Sequence, residues 1–521
     1  MDDNANKKSI LIILDGWGVA EPSRSNAIAS AKTPTIDYIE KKYFSTSLQA
    51  SGVAAGLPWG REGNSEVGHM NIGAGKIVYQ YLPRIVAAIR DGSFFKNETL
   101  LNMADFVKRN NSTLHIMGLI SSGSVHAYID HLYGLLEFAK KNEVKNVVIH
   151  MFTDGKDAGT KEAVGFVKIL EEKFSKEQIS IKIGTIIGRV YAMDRNGRWE
   201  YTEKAYNLIT QGVGEKVEDP AKYIETSYNA GKTDFDLEPA VIHKDGQPVG
   251  LVGENDALVF INFREDSARQ LTKAFILPET EFYEFTRKKI KNLYFVAMTK
   301  YEDGLPMEVL FPPPVIESPF AKVLSENNKK QLHIAETEKY AHVTYFFNGE
   351  NEKQYEGEER ILVRTTGSPH YNEDPQMQVY NITQKLYENI DKYDFFLLNF
   401  PNADMLGHTG DFNAVVAGIE AIDANLSGIL QIIKDKNINL FITADHGNAE
   451  NMIDFKTGEI ITSHTNNPVP FYAVGKDFEN IGNPTPLYQR EPSGLLEDVV
   501  PTILKHMDLP IPPEMTGKPL V

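Results

Sequence analysis

Four segments of the chain are almost wholly apolar and end in a polar or glycine-containing turn: SILIILDGWG (9–18), NVVIHMFTDG (146–155), DFFLLNF (394–400) and INLFITADHG (438–447). Short runs without apolar/polar alternation fit strands buried on both faces of a sheet. Other stretches repeat their apolar positions at helical spacing, among them HLYGLLEFAKKN, EAVGFVKILEEKFS and AVVAGIEAIDANLSGILQIIKDK. Strands alternating with helices predict α/β architecture with doubly wound parallel sheets.

Two segments read as crossings between domains. One is GAGKIVYQYLPR at 73–84; the other is YEDGLPMEVLFPPPVIESP at 301–319, where three successive prolines stiffen an extended strand of chain. Bracketed in this way, residues 1–80 and 315–521 form one discontinuous domain and 81–314 an inserted one. A row of consecutive domains with a proline-rich surface loop is equally compatible with composition alone.

Composition narrows the function classes. The 521 residues are 42% hydrophobic and 24% charged, the ordinary range for a globular chain. The net charge of −17 disfavours sequence-independent binding to nucleic acid or an anionic membrane. A small anionic substrate remains compatible, provided cations gather locally, because charge beyond a Debye length of about 8 Å is screened. Cysteine is absent, which removes disulfides, thiolate nucleophiles and Cys-ligated metals. The opening MDDNANKK and the short apolar run after it do not make a signal-peptide core of about 7–15 apolar residues. The expectation is a cytoplasmic protein with no membrane and no nucleic-acid partner.

The strand ends carry the candidate chemistry. Asp15 follows the first strand; Asp404 and His408 follow the third in NADMLGHTG; Asp445 and His446 end the fourth in TADHGN, with His464 in SHTNNPVPF beyond it. Ligands of open α/β sheets collect outside the carboxyl ends of strands. Each residue alone is an ordinary turn aspartate or a hydrogen-bonded histidine. Together they supply donors for two divalent ions, and paired ions about 3.5–4 Å apart suit phosphoryl transfer. Mixed carboxylate and imidazole donors favour Mn²⁺ or Zn²⁺, with Co²⁺ and Mg²⁺ as alternatives. Ser65, in the glycine-rich stretch GLPWGREGNSEVGHMNIGAG, stands where a helix could begin. It reads either as a plain N-cap or as a nucleophile whose hydroxyl is made acidic by a neighbouring cation.

DGWG (15–18), GNSEVGH (63–69), HIAETEKYAHVTYFFNG (333–349), ADMLGHTG (403–410) and TADHGNAEN (443–451) together resemble cofactor-independent, that is 2,3-bisphosphoglycerate-independent, phosphoglycerate mutases of the alkaline phosphatase superfamily. The likeness implies an alkaline-phosphatase-like domain with an inserted α/β transferase domain, monomeric, acting in glycolysis and gluconeogenesis. It implies interconversion of 3- and 2-phosphoglycerate through phosphorylated Ser65, with no bisphosphoglycerate required. Asp404, His408 and His464 would hold one Mn²⁺, and Asp15, Ser65, Asp445 and His446 the other. His126, Lys156, Asp157, Arg189, Arg195, Arg264 and Lys339 match substrate-contacting positions, with Asp157 and Lys339 also catalytic.

Departures from that pattern fall in the inserted domain, where Ser122, Gly123 and Ser124 stand in place of the usual Asp-Gly-Gly and Lys156 and Ser267 stand for arginines; outside it, RTTGSPHYNEDPQM (364–377) also differs from the usual segment. They motivate a second reading, a related metal-dependent phosphomutase or phosphatase for another small phosphorylated acid. A catalytically silent metal-binding protein is a third, against which the intact nucleophile and ligand sets speak.

Overall fold

The computed structural model describes residues 7–175, 179–365 and 370–521. Residues 366–369 of the variant segment, and the first six of the chain, lie outside the described residues. The chain divides into two compact units, Met1–Gln80 with Pro314–Val521, and Tyr81–Pro313.

The first unit is built on an eight-stranded sheet. Its spatial order is Glu358–Val363, Gln331–Glu336, Phe395–Phe400, Ser9–Leu14, Asn439–Thr443, Val469–Val474, Phe44–Gln49, Gly494–Leu495. The first five are parallel, whereas Val469–Val474 runs antiparallel to both its neighbours. Every residue of Ser9–Leu14 and of Phe395–Phe400 is buried, as their unbroken apolar runs require. Register sets the site. Leu14 pairs with Phe400 and Ile13 with Thr443, so Asp15, the 401–408 turn and the 444–446 turn leave the sheet at one level. The helix Phe412–Lys436 is long and apolar enough to span a membrane. Its Val415, Ile419, Ile422, Leu426 and Ile429 instead pack fully buried into the core of this unit.

The second unit has its own sheet, ordered Glu308–Phe311, Tyr294–Thr299, Ala257–Phe260, Leu114–Leu119, Asn146–Thr153, Ser180–Gly188, Ala240–Lys244, Glu215–Val217. The six strands from Glu308–Phe311 to Ser180–Gly188 are parallel. Leu119 lies opposite Phe152, Met117 opposite Phe260 and Thr153 opposite Gly188, so the loops after four strands share one carboxyl edge.

One buried histidine of this unit links its packing to acid stability. His131, in the helix Ile129–Lys141, stands edge-on to the rings of Tyr128 and Phe263 at 5.9 and 5.6 Å. Neither of its ring nitrogens has a hydrogen-bond partner. Burial pushes its pKa down to about 3, against 6.5 for a free imidazole. The unfolded chain therefore binds a proton that the folded chain refuses. The stabilisation is full above pH 6.5 and is lost as pH falls towards 3. His131→Phe should lose less thermal stability than the parent between pH 7 and about pH 4.5. Identical acid losses in melting curves of the two proteins would remove His131 as a source.

Candidate active site

The carboxyl edge of the first unit brings Asp15, Asp404 and Asp445 together beneath the start of the helix Ser65–Ala74. Asn64 is the N-cap of that helix, its side chain accepting from Val67 N at 2.9 Å. Ser65 is thus the first helical residue, not the cap, and its hydroxyl is released for other partners. It lies 3.2 Å from Asp15 Oδ1, 3.0 Å from His446 Nε2 and 2.7 Å from Lys339 Nζ. Close backbone approach makes the convergence possible. Gly16 has φ +77°, and a side chain there would meet Asp404 at 2.6 Å; one on Gly68 would meet Asp445 Cβ at 2.6 Å.

The imidazoles are oriented as ligands are. His408 Nδ1 faces Thr462 O at 2.7 Å, His464 Nδ1 faces Gly63 O at 2.8 Å and His446 Nδ1 faces Gly447 O at 3.3 Å. Each backbone carbonyl accepts a hydrogen bond from Nδ1–H, which turns Nε2 inward, the arrangement that fixes metal-ligating histidines. His408 Nε2 and His464 Nε2 both lie 3.2 Å from Asp404 Oδ1 and 3.1 Å from each other. Two lone pairs at that distance require a positive centre beside them. Asp445 Oδ2, fully buried, has no hydrogen-bond partner. Burial pushes the His446 pKa down, but the carboxylates of Asp445, Asp15 and Asp404 carry it up to about 9. Its surroundings favour a positive charge at Nε2, whether proton or metal ion. The residues present fit divalent cations on these grounds.

Lys339 occupies the middle of the cluster. Its ammonium donates to Asp15 Oδ1, Asp404 Oδ2 and Ser65 Oγ, each at 2.7 Å. Burial would neutralise it, yet Asp15, Asp404 and Asp445 hold its pKa above the usual lysine value. In return, and against their own burial, Lys339 keeps Asp15 and Asp404 well below the usual carboxylate range. The resemblance gives Lys339 both a substrate-contacting and a catalytic place; its ammonium lies among the metal-ligand candidates, on Asp15, Asp404 and Ser65.

The second unit collects a different set on its own carboxyl edge. His126, Lys156, Asp157, Arg189, Arg195, Arg264 and Ser267 all line one cleft of ≈ 200 Å³. Arg189 bridges Asp154 Oδ1 and Asp157 Oδ2 at 2.6 Å each. Asp266 receives both Arg195 and Arg264. His126 Nδ1 is 3.0 Å from Ser267 Oγ, and burial with the Arg189 charge brings its pKa down to about 4, so it is neutral at pH 7. Ser267, expected from the sequence to be a loss of charge, thereby acquires a role in holding that ring. Ser122 binds Glu162 Oε2 outside this set, through its hydroxyl at 2.8 Å.

Three residues of these sites were not singled out by the sequence. Arg198 lines the cleft, tied to Asp194 at 2.6 Å; it is three residues beyond Arg195, and that spacing is a usable signal. His69 joins Asp15 and Asp445 in a ligand-like group, and Asn399 contacts Asp15. His69 sits one helical turn past Ser65 in a motif already noted, whereas Asn399 lies inside an apolar strand and carries no signal.

Comparison with known proteins defines the class and then the family. The family description "Type I phosphodiesterase / nucleotide pyrophosphatase" matches residues 286–478, and "BPG-independent PGAM N-terminus" matches 85–303. The 2,3-bisphosphoglycerate-independent phosphoglycerate mutase of Clostridium novyi is 46% identical over 519 residues, covering 99% of each chain. That of Moorella thermoacetica is 44% identical, covering 99% of this chain and 98% of its own. The Leishmania mexicana phosphoglycerate mutase solved at low cobalt concentration matches with a TM-score of 0.55 and 28% identity, over 100% of this chain and 98% of its own. The chain belongs to the 2,3-bisphosphoglycerate-independent phosphoglycerate mutase family.

The converging lone pairs make a countable prediction. Calorimetric titration with Mn²⁺ should resolve two ions per chain. His408→Ala, at a half-exposed position, should lose one ion and keep the other. Retention of both, or loss of both, would break the assignment of His408 to a single ion.

Proposed function

We propose that this chain interconverts 3-phosphoglycerate and 2-phosphoglycerate through a phosphoserine at Ser65, without bisphosphoglycerate. The observation that carries the reading is the placement of the Ser65 hydroxyl within 3.2 Å of Asp15, His446 and Lys339, at the start of a helix. Asp404, His408 and His464 would hold one divalent cation and Asp15, Ser65, Asp445 and His446 a second, Mn²⁺ being the ion best suited to these donors. When bound, such cations acidify the serine hydroxyl and neutralise charge on the phosphoryl oxygens.

The chain's own groups then divide the work. Ser65 Oγ attacks phosphorus; the bond from phosphorus to the 3-oxygen of glycerate breaks, and the serine proton ends on that oxygen. Lys339 steadies Ser65 Oγ as its proton leaves, through the 2.7 Å contact already in place. Arginine forks bind carboxylate and phosphate through paired donors, which suits Arg189, Arg195 and Arg264 to the substrate's carboxylate and hydroxyls. Asp157, held by Arg189, accepts the proton of the 2-hydroxyl as that oxygen attacks phosphorus; the bond from phosphorus to Ser65 Oγ breaks, and the freed proton returns to the serine oxygen. Neutral His126 presents a hydrogen-bonding edge without adding charge.

Supplied with Mn²⁺ and 3-phosphoglycerate alone, the protein should form 2-phosphoglycerate. Release of inorganic phosphate in its place would favour a phosphatase. Ser65→Ala should lower kcat by at least about 10³-fold, since removing an activated nucleophile removes the covalent route. Substantial turnover by that variant, with no phosphoserine trapped in the parent, would end the covalent reading. Arg189→Lys keeps the charge but loses the fork, and should raise KM about tenfold or more. An unchanged KM would take Arg189 out of substrate binding.

A further inference from the structure

We propose that His69 and Asn399 form a hydrogen-bonded relay that ties Asp15 to the first turn of the nucleophile helix, and that His69 is not itself a metal ligand. The proposal rests on the reading of this edge as a two-metal centre. By proximity alone His69 looks like a ligand, since its ring groups with Asp15 and Asp445. The hydrogen bonds say otherwise.

Asn399 is fully buried on the strand Phe395–Phe400, beside the strand that ends at Asp15. Its amide nitrogen donates to Asp15 Oδ2 at 2.8 Å and stands 3.0 Å from His69 Nε2. The opposite amide orientation would set Asn399 Oδ1 against Asp15 Oδ2, one acceptor oxygen against another. The amide therefore points both its hydrogens at acceptors, and Asn399 Oδ1 is left with no partner. His69 Nε2 must then offer its lone pair, and the ring proton sits on Nδ1. That nitrogen lies 2.9 Å from Ser65 O and 3.2 Å from Asp445 Oδ2. Both ring nitrogens are thus committed, one accepting from an amide and one donating towards an oxygen, so neither is free for a cation. His69 shares an Nδ1–carbonyl bond with His408, His446 and His464, but its Nε2 meets the Asn399 amide where theirs face the carboxylates.

The consequence is mechanical. Asn399 fixes one oxygen of Asp15, leaving Oδ1 to face Ser65 and Lys339. His69 bonds the backbone carbonyl of Ser65 through Nδ1. One buried pair thereby couples the Asp15 carboxylate to the residue that carries the nucleophile. His69 and Asn399 are positioning residues, acting through Asp15 and Ser65.

Nitrogen NMR of protein labelled at histidine tests the assignment without substrate. The His69 ring should carry a proton on Nδ1 and none on Nε2, unchanged on addition of Mg²⁺ as a diamagnetic ion. An Nε2–H ring, or a ring signal that moves to a metal-bound position, would overturn the relay. Variants give an independent readout. His69→Leu should lower kcat and metal affinity about 10- to 100-fold, as loss of outer-sphere support does, while still binding two ions by calorimetry. His69→Asn, whose amide nitrogen reaches the place of Nδ1, should recover most of that loss. Loss of one bound ion in His69→Asn would make His69 a ligand after all. If the parent protein binds its ions but does not convert 3-phosphoglycerate, the proposed reaction fails while the ring assignment is still decided by its NMR signal.

Discussion

Three carboxylates gathered out of water set the terms for everything else at this edge. Asp15 and Asp445 are fully buried and Asp404 nearly so. Each buried ion costs several kcal/mol in lost hydration, and leaving one unpaired in such a place costs about 3–5 kcal/mol. The fold meets the cost with positive charge at close range. Lys339 binds two of the three carboxylates; on the third, Asp445, Oδ1 accepts from the backbone N–H groups of Gly16 and His446 while ring nitrogens of His69 and His446 lie 3.2 and 3.5 Å from Oδ2. A site that has to be kept electrically balanced by cations is also one in which an incoming phosphoryl dianion finds positive centres, and in which a serine hydroxyl beside them loses its proton at reduced cost. The reactivity proposed for Ser65 would follow from that charge balance.

Backbone geometry makes the crowding achievable. Parallel strands in level register deliver three turns to one height, and the helix bearing Ser65 then has to approach them closely. Gly16 and Gly68 allow that approach, because any Cβ at either would overlap Asp404 or Asp445. The same closeness explains why Asn64 caps the helix. With the cap supplied by its neighbour, Ser65 is spared from binding backbone and faces the carboxylates.

What the sequence disclosed follows from which interactions are local. Unbroken apolar runs reveal buried parallel strands, and those at 9–14, 146–153, 395–400 and 439–443 stand where the pattern puts them. Ligand candidates were legible because a strand end plus Asp or His is a short-range signal, and Asp404 with His408 shares one helical turn. Lys339 was legible as functional but not as the centre of the carboxylate cluster, since its partners are 65 and more residues away in the chain. Asn399 was invisible: an amide in the run FFLLNF looks like a tolerated polar residue until the neighbouring strand places Asp15 beside it. The role of Ser267 was hidden for the same reason, its partner His126 being 141 residues distant.

The cleft of the second unit shows how a chain with a net charge of −17 can present cations to an anion. Its arginines are paired, but unequally. Arg189 is buried, clamped by two aspartates whose oxygens both lie at 2.6 Å. Its position is fixed before any ligand arrives, so it contributes alignment at little entropic cost. Arg195 and Arg264 are about half-exposed and compete for one carboxylate, that of Asp266. Exposed pairs are worth only about 0–1 kcal/mol each, so a ligand carboxylate can displace Asp266 from either without a large penalty. The acidic residues around the cleft are therefore compatible with the acid binding proposed for it. They hold one guanidinium rigid and leave two others in weaker, exchangeable pairs.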